Sequence, residues 1–327
     1  IVDAKELVDM AVKAEETKIL TDVWAGDSIL SKPRLECIPL LGAIAGRTTR
    51  VKLGVACMAT IVQRNPVVFG LQWASLDVIS EGRTLLVACM GYPASQTPAA
   101  AKELEIMGIP SKERPQRMVE IMAALRELWS SENATYYGKH YSFEDVNLLP
   151  KPIQKPCPIW IAATPRATLI GEEGVNKALR RIALNADGWQ TTLLTPDMFK
   201  DYLERIHSAR EEEGLDNSTF KTSLYYNMNV NPDRDFAYQE SKNYLDTYYD
   251  RDWPEDLVNL WTAYGSIDRC VETLQNYIDA GFDHITIRLT ATNQEEQFDI
   301  YVNAVSYTHL RAHETEADLV CRLLLEK

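Results

Sequence analysis

Asp27 and Ser28 stand directly after the apolar run ILTDVWAG, and a carboxylate beside a hydroxyl can accept, hold and pass on a proton. Comparable positions, just past an apolar run, fall to the residues from Cys57 to Arg64, to Met90, to Ala163, Thr164 and Arg166, to Thr191 and Thr192, to Asn227 and Asn229, and to Arg288. Ala163, Thr164 and Arg166 combine backbone N–H groups, a hydroxyl and a guanidinium where a helix opens, the chemistry of an anion site. A Thr in that place can equally be a plain helix cap. Arg288 can offer a bidentate charge to the same anion or pair with a neighbouring carboxylate. Histidine is the natural acid or base near neutral pH, yet His140, His207 and His284 all lie away from these positions. No His, Asp or Glu set recurs at several strand ends, so metal-dependent hydrolysis is not expected and no metal ligand is assigned.

The elements that must carry these residues alternate. Strand-like runs end near residues 24, 58, 90, 162, 192, 230 and 289, and amphipathic helical patterns separate them. Seven strands alternating with helices indicate a parallel sheet, closed into a barrel or open and doubly wound. In a parallel barrel the site forms at the C-terminal ends of the strands, which is why residues just past each run are the candidates. Residues 131–156 break the alternation and read as a hairpin or excursion over one mouth of the sheet.

The chain has 327 residues, 46% of them hydrophobic, which suits one barrel-sized domain over residues 1–305 as well as two smaller cores. A formal net charge of -13 and the lack of any Lys/Arg cluster argue against nucleic acid. No apolar run approaches the roughly 20 residues that cross a bilayer, and the opening IVDAKELVDMAVKAEE is an acidic amphipathic helix, so a cytoplasmic protein is expected. Six cysteines without a C-x-x-C pair read as reduced thiols. Residues 306–327 change composition abruptly and resemble a translated adapter or vector read-through; the LVCRLLLEK portion could otherwise form an amphipathic helix.

DVWAGDS, IAGRTTRVKLGVACM, QRNPVVFGLQWASLDVISEGRTLLVACMG, PKPIQKPCPIWIAA, RRIALNADGW and GSIDRCVETLQNYIDAGFDHITI, in this order, resemble the bacterial luciferase-like flavin-dependent monooxygenases and their coenzyme F420-using relatives. The resemblance covers nearly all of residues 1–305 and implies a (β/α)8 TIM barrel whose first strand would precede residue 1. It implies reduced FMN and O2 acting on a small organic substrate, with a separate flavin reductase as partner and a homo-oligomeric assembly. Hydride transfer with coenzyme F420 is the alternative, and a non-catalytic barrel subunit the second. The resemblance implies catalytic roles for Asp27 and Ser28. It also implies a non-prolyl cis peptide at Cys57–Met58 behind the flavin ring, and cofactor contacts from Met90, Ala163, Thr164, Arg166 and Arg288. Two departures stand out: Asp27-Ser28 replaces the Asp-His frequent in the F420 branch, and Asn65-Pro66 replaces His-Pro.

Overall fold

The computed structural model describes residues 3–91, 97–312 and 321–325. The chain divides into two compact units, one of Ile1–Glu15, Asp22–Ala162 and Leu325–Lys327, the other of Glu16–Thr21 and Ala163–Leu324.

In the first unit α1 (Ala4–Glu16) leads to β1 (Asp22–Ala25), followed by α2 (Cys37–Ala45), β2 (Lys52–Met58), α3 (Pro66–Ile79) and β3 (Thr84–Ala88). The chain continues through α4 (Pro98–Ile106), α5 (Arg114–Ser130), β4 (Ala134–Tyr137), β5 (Ser142–Val146) and β6 (Ile159–Ala162). Strands β1, β2, β3 and β6 pair in that order, all parallel. Every residue of β1 and β3 is buried, the property of parallel strands covered on both faces that gives near-continuous apolar runs. Trp24 is fully buried opposite Gly54, whose missing Cβ leaves the space that the indole fills. The Asn65 side chain accepts from the Val67 and Val68 N–H groups and Pro66 takes the first helical position, which fixes where α3 begins. Within residues 131–156, β4 and β5 form an antiparallel hairpin, and the Tyr141 hydroxyl donates to the Val62 carbonyl just beyond β2.

The second unit runs α6 (Ala167–Asn185), β7 (Gly188–Thr191), α7 (Pro196–Glu212), β8 (Lys221–Val230), α8 (Arg234–Tyr249), α9 (Glu255–Trp261) and β9 (Thr262–Gly265). Then come α10 (Ile267–Asp279), β10 (His284–Leu289), α11 (Gln294–Ala312) and β11 (Cys321–Leu325). The long β8 is the centre: β7 pairs with its first half, β10 with Ser223 to Met228 and β9 with its last four residues, all parallel. Trp189, Phe199 and Phe282 stack in the core, with ring centroids 5.7 and 3.5 Å apart.

Three sequence expectations change. Thr262–Gly265 is a strand that the pattern did not reveal, because four residues directly after a helix show no alternation. Residues 306–312 continue α11, and Cys321–Leu325, where a helix was the structured option, is a strand whose Cys321, Arg322 and Leu323 lie beside Ile285, Thr286 and Ile287. β10 thus has β8 on one side and β11 on the other. Finally, Cys57 and Cys89 form a disulfide, so the reading of all six cysteines as reduced thiols does not hold; Cys37, Cys157 and Cys270 do remain thiols.

Candidate functional site

Asp27, two residues past β1, is buried with its carboxylate fixed on both oxygens. Oδ2 accepts from the Thr60 N–H and the Thr60 hydroxyl, each at 2.7 Å, while Oδ1 faces the Arg64 Nη2 at 3.3 Å and the Cys37 Sγ at 3.6 Å. Arg64 also donates to the Thr60 Oγ1 at 2.9 Å and to the Glu36 carboxylate at 2.8 Å. Burial works against the Arg64 charge, but the Asp27 and Glu36 carboxylates outweigh it and hold the guanidinium above its ordinary pKa. The Cys37 thiol is pushed well up, first by burial and then by Asp27 and Glu36, which disfavours its thiolate. Ligand atoms of Asp27, Glu36 and Cys37 come within 4.8 Å of one another, the spacing of a cation site, and Arg64 supplies the positive charge there.

The segment that follows is pinned from elsewhere in the unit. Glu103 on α4 accepts from three consecutive amides, Ile29, Leu30 and Ser31, and from the Ser31 hydroxyl. Burial pushes the Glu103 carboxyl up, yet these donors bring it below the ordinary glutamate range. Ser28, between the two anchored points, has a buried Oγ with no partner among the described residues.

The end of β2 departs from regular pairing: Val55 faces Leu86 and Met58 faces Ala88, so Ala56 and Cys57 together lie opposite Val87 in a bulge. The non-prolyl cis peptide links Ala56 and Cys57, one residue before the expected Cys57–Met58, and lies within this bulge. Beyond β3, Arg114 donates to the Met90 and Gly91 carbonyls at 3.0 and 3.2 Å.

In the second unit the expected anion site takes a different form. The Ala163 N–H is engaged by the Gln190 carbonyl and the Ala163 carbonyl by the Trp189 indole, so the Ala163 amide is not the donor that the sequence suggested. Gly171, at φ 67°, separates the opening turn Ala167–Ile170 from the rest of α6, so the long helix does not begin beside Thr164 and its dipole does not act there. What gathers instead is hydroxyl chemistry. Thr164 Oγ1 lies 3.3 Å from Thr191 Oγ1 and accepts from the Thr192 N–H at 3.2 Å. The Thr192 Oγ1 and the Nε2 of the buried Gln190 have no partner among the described residues.

Arg288 does not stand at a rim. It is 1% exposed, donates to Asn227 Oδ1 at 2.9 Å and to the Tyr249 hydroxyl at 3.0 Å, and lies against the rings of Tyr225, Tyr244, Tyr248 and Trp261.

Asp27, Ser28, Cys57, Met58 and Met90 thus share the first unit, and Ala163, Thr164, Arg166 and Arg288 the second. Sequence reasoning missed Glu36, Glu103 and Gln190. Glu36 precedes a helix and could have been read as its cap, but Glu103 and Gln190 carry no local signal.

A family model described as luciferase-like monooxygenase matches residues 2–284. An F420-dependent glucose-6-phosphate dehydrogenase of Amycolatopsis mediterranei is 25% identical over 314 residues, 89% of this chain and 90% of its own length. Among solved structures, an F420-dependent secondary alcohol dehydrogenase bound to an F420-acetone adduct superposes with a TM-score of 0.79 at 17% identity, covering 93% of this chain and 96% of the other. A monooxygenase from Streptomyces bottropensis does so with a TM-score of 0.71 at 19% identity, covering 95% and 94%. These likenesses show the expected fold, the luciferase-like (β/α)8 barrel.

Proposed function

Because the chain belongs to the luciferase-like monooxygenase family, we propose that it is an oxidoreductase that uses coenzyme F420 for hydride transfer with a small hydroxyl-bearing substrate. The observation that carries this reading is the end-to-end likeness to an F420-dependent dehydrogenase, with an F420-dependent alcohol dehydrogenase among the structural neighbours. It reverses the order that the resemblance alone suggested, in which FMN and O2 came first, and it needs neither O2 nor a flavin reductase.

Each unit, taken by itself, carries residues suited to such a cofactor. Buried polar atoms are almost always paired, and an orphan is completed by water or by a ligand. Thr192 Oγ1 and Gln190 Nε2 are two such atoms in the second unit, and Ser28 Oγ is one in the first. Thr164, Thr191 and Thr192 offer hydroxyls for phosphate or tail oxygens. Among the described residues nothing bonds the Arg166 guanidinium, which leaves it available to an anion. A bound deazaflavin supplies two-electron hydride chemistry. The protein's own part is to fix it and to handle the proton: Ser28 can donate to a substrate or cofactor oxygen, and Asp27, immobilised by Thr60 and Arg64, supplies a fixed negative charge beside it. With Asp-Ser in place of Asp-His, proton transfer at this position falls to a hydroxyl, not an imidazole.

Titration of the purified protein with F420 and with FMN, followed by cofactor fluorescence, tests the reading. Saturable binding of F420, with bleaching of its absorbance on addition of alcohols, is expected. Binding of FMN alone would return the monooxygenase reading to first place.

A further inference from the structure

We propose that Cys57 and Cys89 form a reversible thiol–disulfide pair, a redox modification site that fixes the bulge of β2 against the end of β3. The two sulfurs belong to the C-terminal ends of neighbouring parallel strands, with Cα atoms 6.0 Å apart. The bond spans 32 residues of sequence, so it acts through loop closure as well as by what it holds locally.

What it holds is the connection from the bulge to Asp27. Cys57 lies inside the bulge, and three residues later Thr60 gives both of its donors to the Asp27 carboxylate. On the other side, Cys89 precedes Met90 and Gly91, whose carbonyls Arg114 fixes. The two segments are in close contact: a Cβ on Gly91 would come within 2.9 Å of the Ala59 carbonyl oxygen. Two thiols need more room than one disulfide, and at this contact the room can come only from the bulge or from the segment after β3. Opening the pair should therefore loosen the Thr60 grip on Asp27.

Three other cysteines are of another kind. Cys37, Cys157 and Cys270 are buried thiols, with burial pushing Cys37 well up and Cys270 up to about 12, so they offer little thiolate for exchange. Cys57 is half-buried and Cys89 buried, so Cys57 is the more accessible residue of the pair. In the oxidising direction the Cys57 thiolate attacks a low-molecular-weight disulfide, forming a mixed disulfide and releasing one thiol. The Cys89 thiolate then displaces the second thiol, so two protein thiols lose two electrons and two protons while one small disulfide becomes two thiols. A dithiol reductant reverses both steps.

The test alkylates the native full chain before and after treatment with dithiothreitol and maps the labelled peptides. Cys57 and Cys89 should be protected before reduction and both labelled after it, without denaturant, and oxidised glutathione should restore protection. Amide exchange at Thr60 should be faster in the reduced protein by about fivefold or more, the mark of a locally loosened hydrogen bond. Cys89→Ser should abolish the response of Thr60 exchange to dithiothreitol. Labelling of either sulfur without reduction, reduction only in denaturant, or unchanged Thr60 exchange would each overturn the proposal. The expectation that reduction also weakens F420 binding rests on the functional reading above. If F420 binds in neither redox state while labelling and exchange behave as stated, that reading fails and the redox pair stands.

Discussion

The Asp27 carboxylate receives more donors than a surface acid would, and the cost of removing it can be apportioned among them. Asp27→Ala leaves the Thr60 N–H, its hydroxyl and one face of a largely buried guanidinium without an acceptor, although Arg64 keeps Glu36. A loss of about 3 kcal/mol in urea unfolding is expected, because orphaned buried donors and a half-unpaired charge each cost more than a hydrogen bond contributes. Asp27→Asn keeps the shape and one acceptor and should lose about 1 kcal/mol. At the other candidate cluster, Thr164→Glu should weaken F420 binding by about tenfold or more through like-charge repulsion against an anionic cofactor, and cost about 1 kcal/mol in unfolding for the altered acceptor of the Thr192 N–H. Equal F420 affinity in parent and variant would remove Thr164 from the site. Asp27, Ser28 and Thr164 could be named as candidates because each follows an apolar run. Glu103 was not: in KELEIMG it reads as a solvated helical face, and its three amide partners lie more than 70 residues away.

Elements are held to one another by the same device. Glu15, near the end of α1, takes the amides of Thr49, Arg50 and Val51, so one carboxylate ties a helix to the loop that enters β2. Burial pushes this carboxyl up, but the three amides outweigh it and hold the pKa below the ordinary glutamate range. A carboxyl whose folded pKa lies below its unfolded value contributes stability that is complete above the unfolded value and disappears as pH falls through the folded one. Stability of the parent should therefore fall more steeply on acidification below the ordinary glutamate range than that of Glu15→Gln, as chemical unfolding at a series of pH values would show; parallel curves would deny Glu15 this role. Gly54→Val addresses the next pair of elements. It drives a side chain into the space of the buried Trp24 and should cost about 1–3 kcal/mol or prevent folding. Buried parallel strands were readable as apolar runs, and the helices by their periodicity. The bulge at Ala56–Cys57 was not, since an extra residue in a strand changes register without changing composition.

At the scale of the whole molecule, two expectations concern what the chain carries beyond its recognisable repeats. Removing residues 306–327 takes away β11 and bares the backbone groups of Ile285 to Ile287. An uncovered strand edge invites pairing with another molecule, so the truncated protein should show concentration-dependent light scattering and a Tm lower by about 2–4 °C for each kcal/mol lost. An unchanged Tm and a clean monomeric or dimeric scattering profile would mean that this strand contributes nothing. The second expectation turns on charge. With a net charge of -13 the molecule repels an anionic cofactor at long range, so capture depends on local donors such as Arg166 and the threonine hydroxyls. Ligand that binds only the folded state at about 100 times its Kd adds about 2.7 kcal/mol, which for a chain of this size is a rise in Tm on the order of 5 °C. F420 should produce this rise and FMN at the same concentration should not. The shift should also grow modestly as salt is raised from about 0.01 to 0.1 M, because screening shortens the reach of the repulsion from about 30 to about 10 Å while contacts inside the site are screened far less. A shift that instead shrinks steadily over that range would mean that long-range attraction dominates, and that the cationic surface receiving the cofactor is larger than Arg166 and its neighbours.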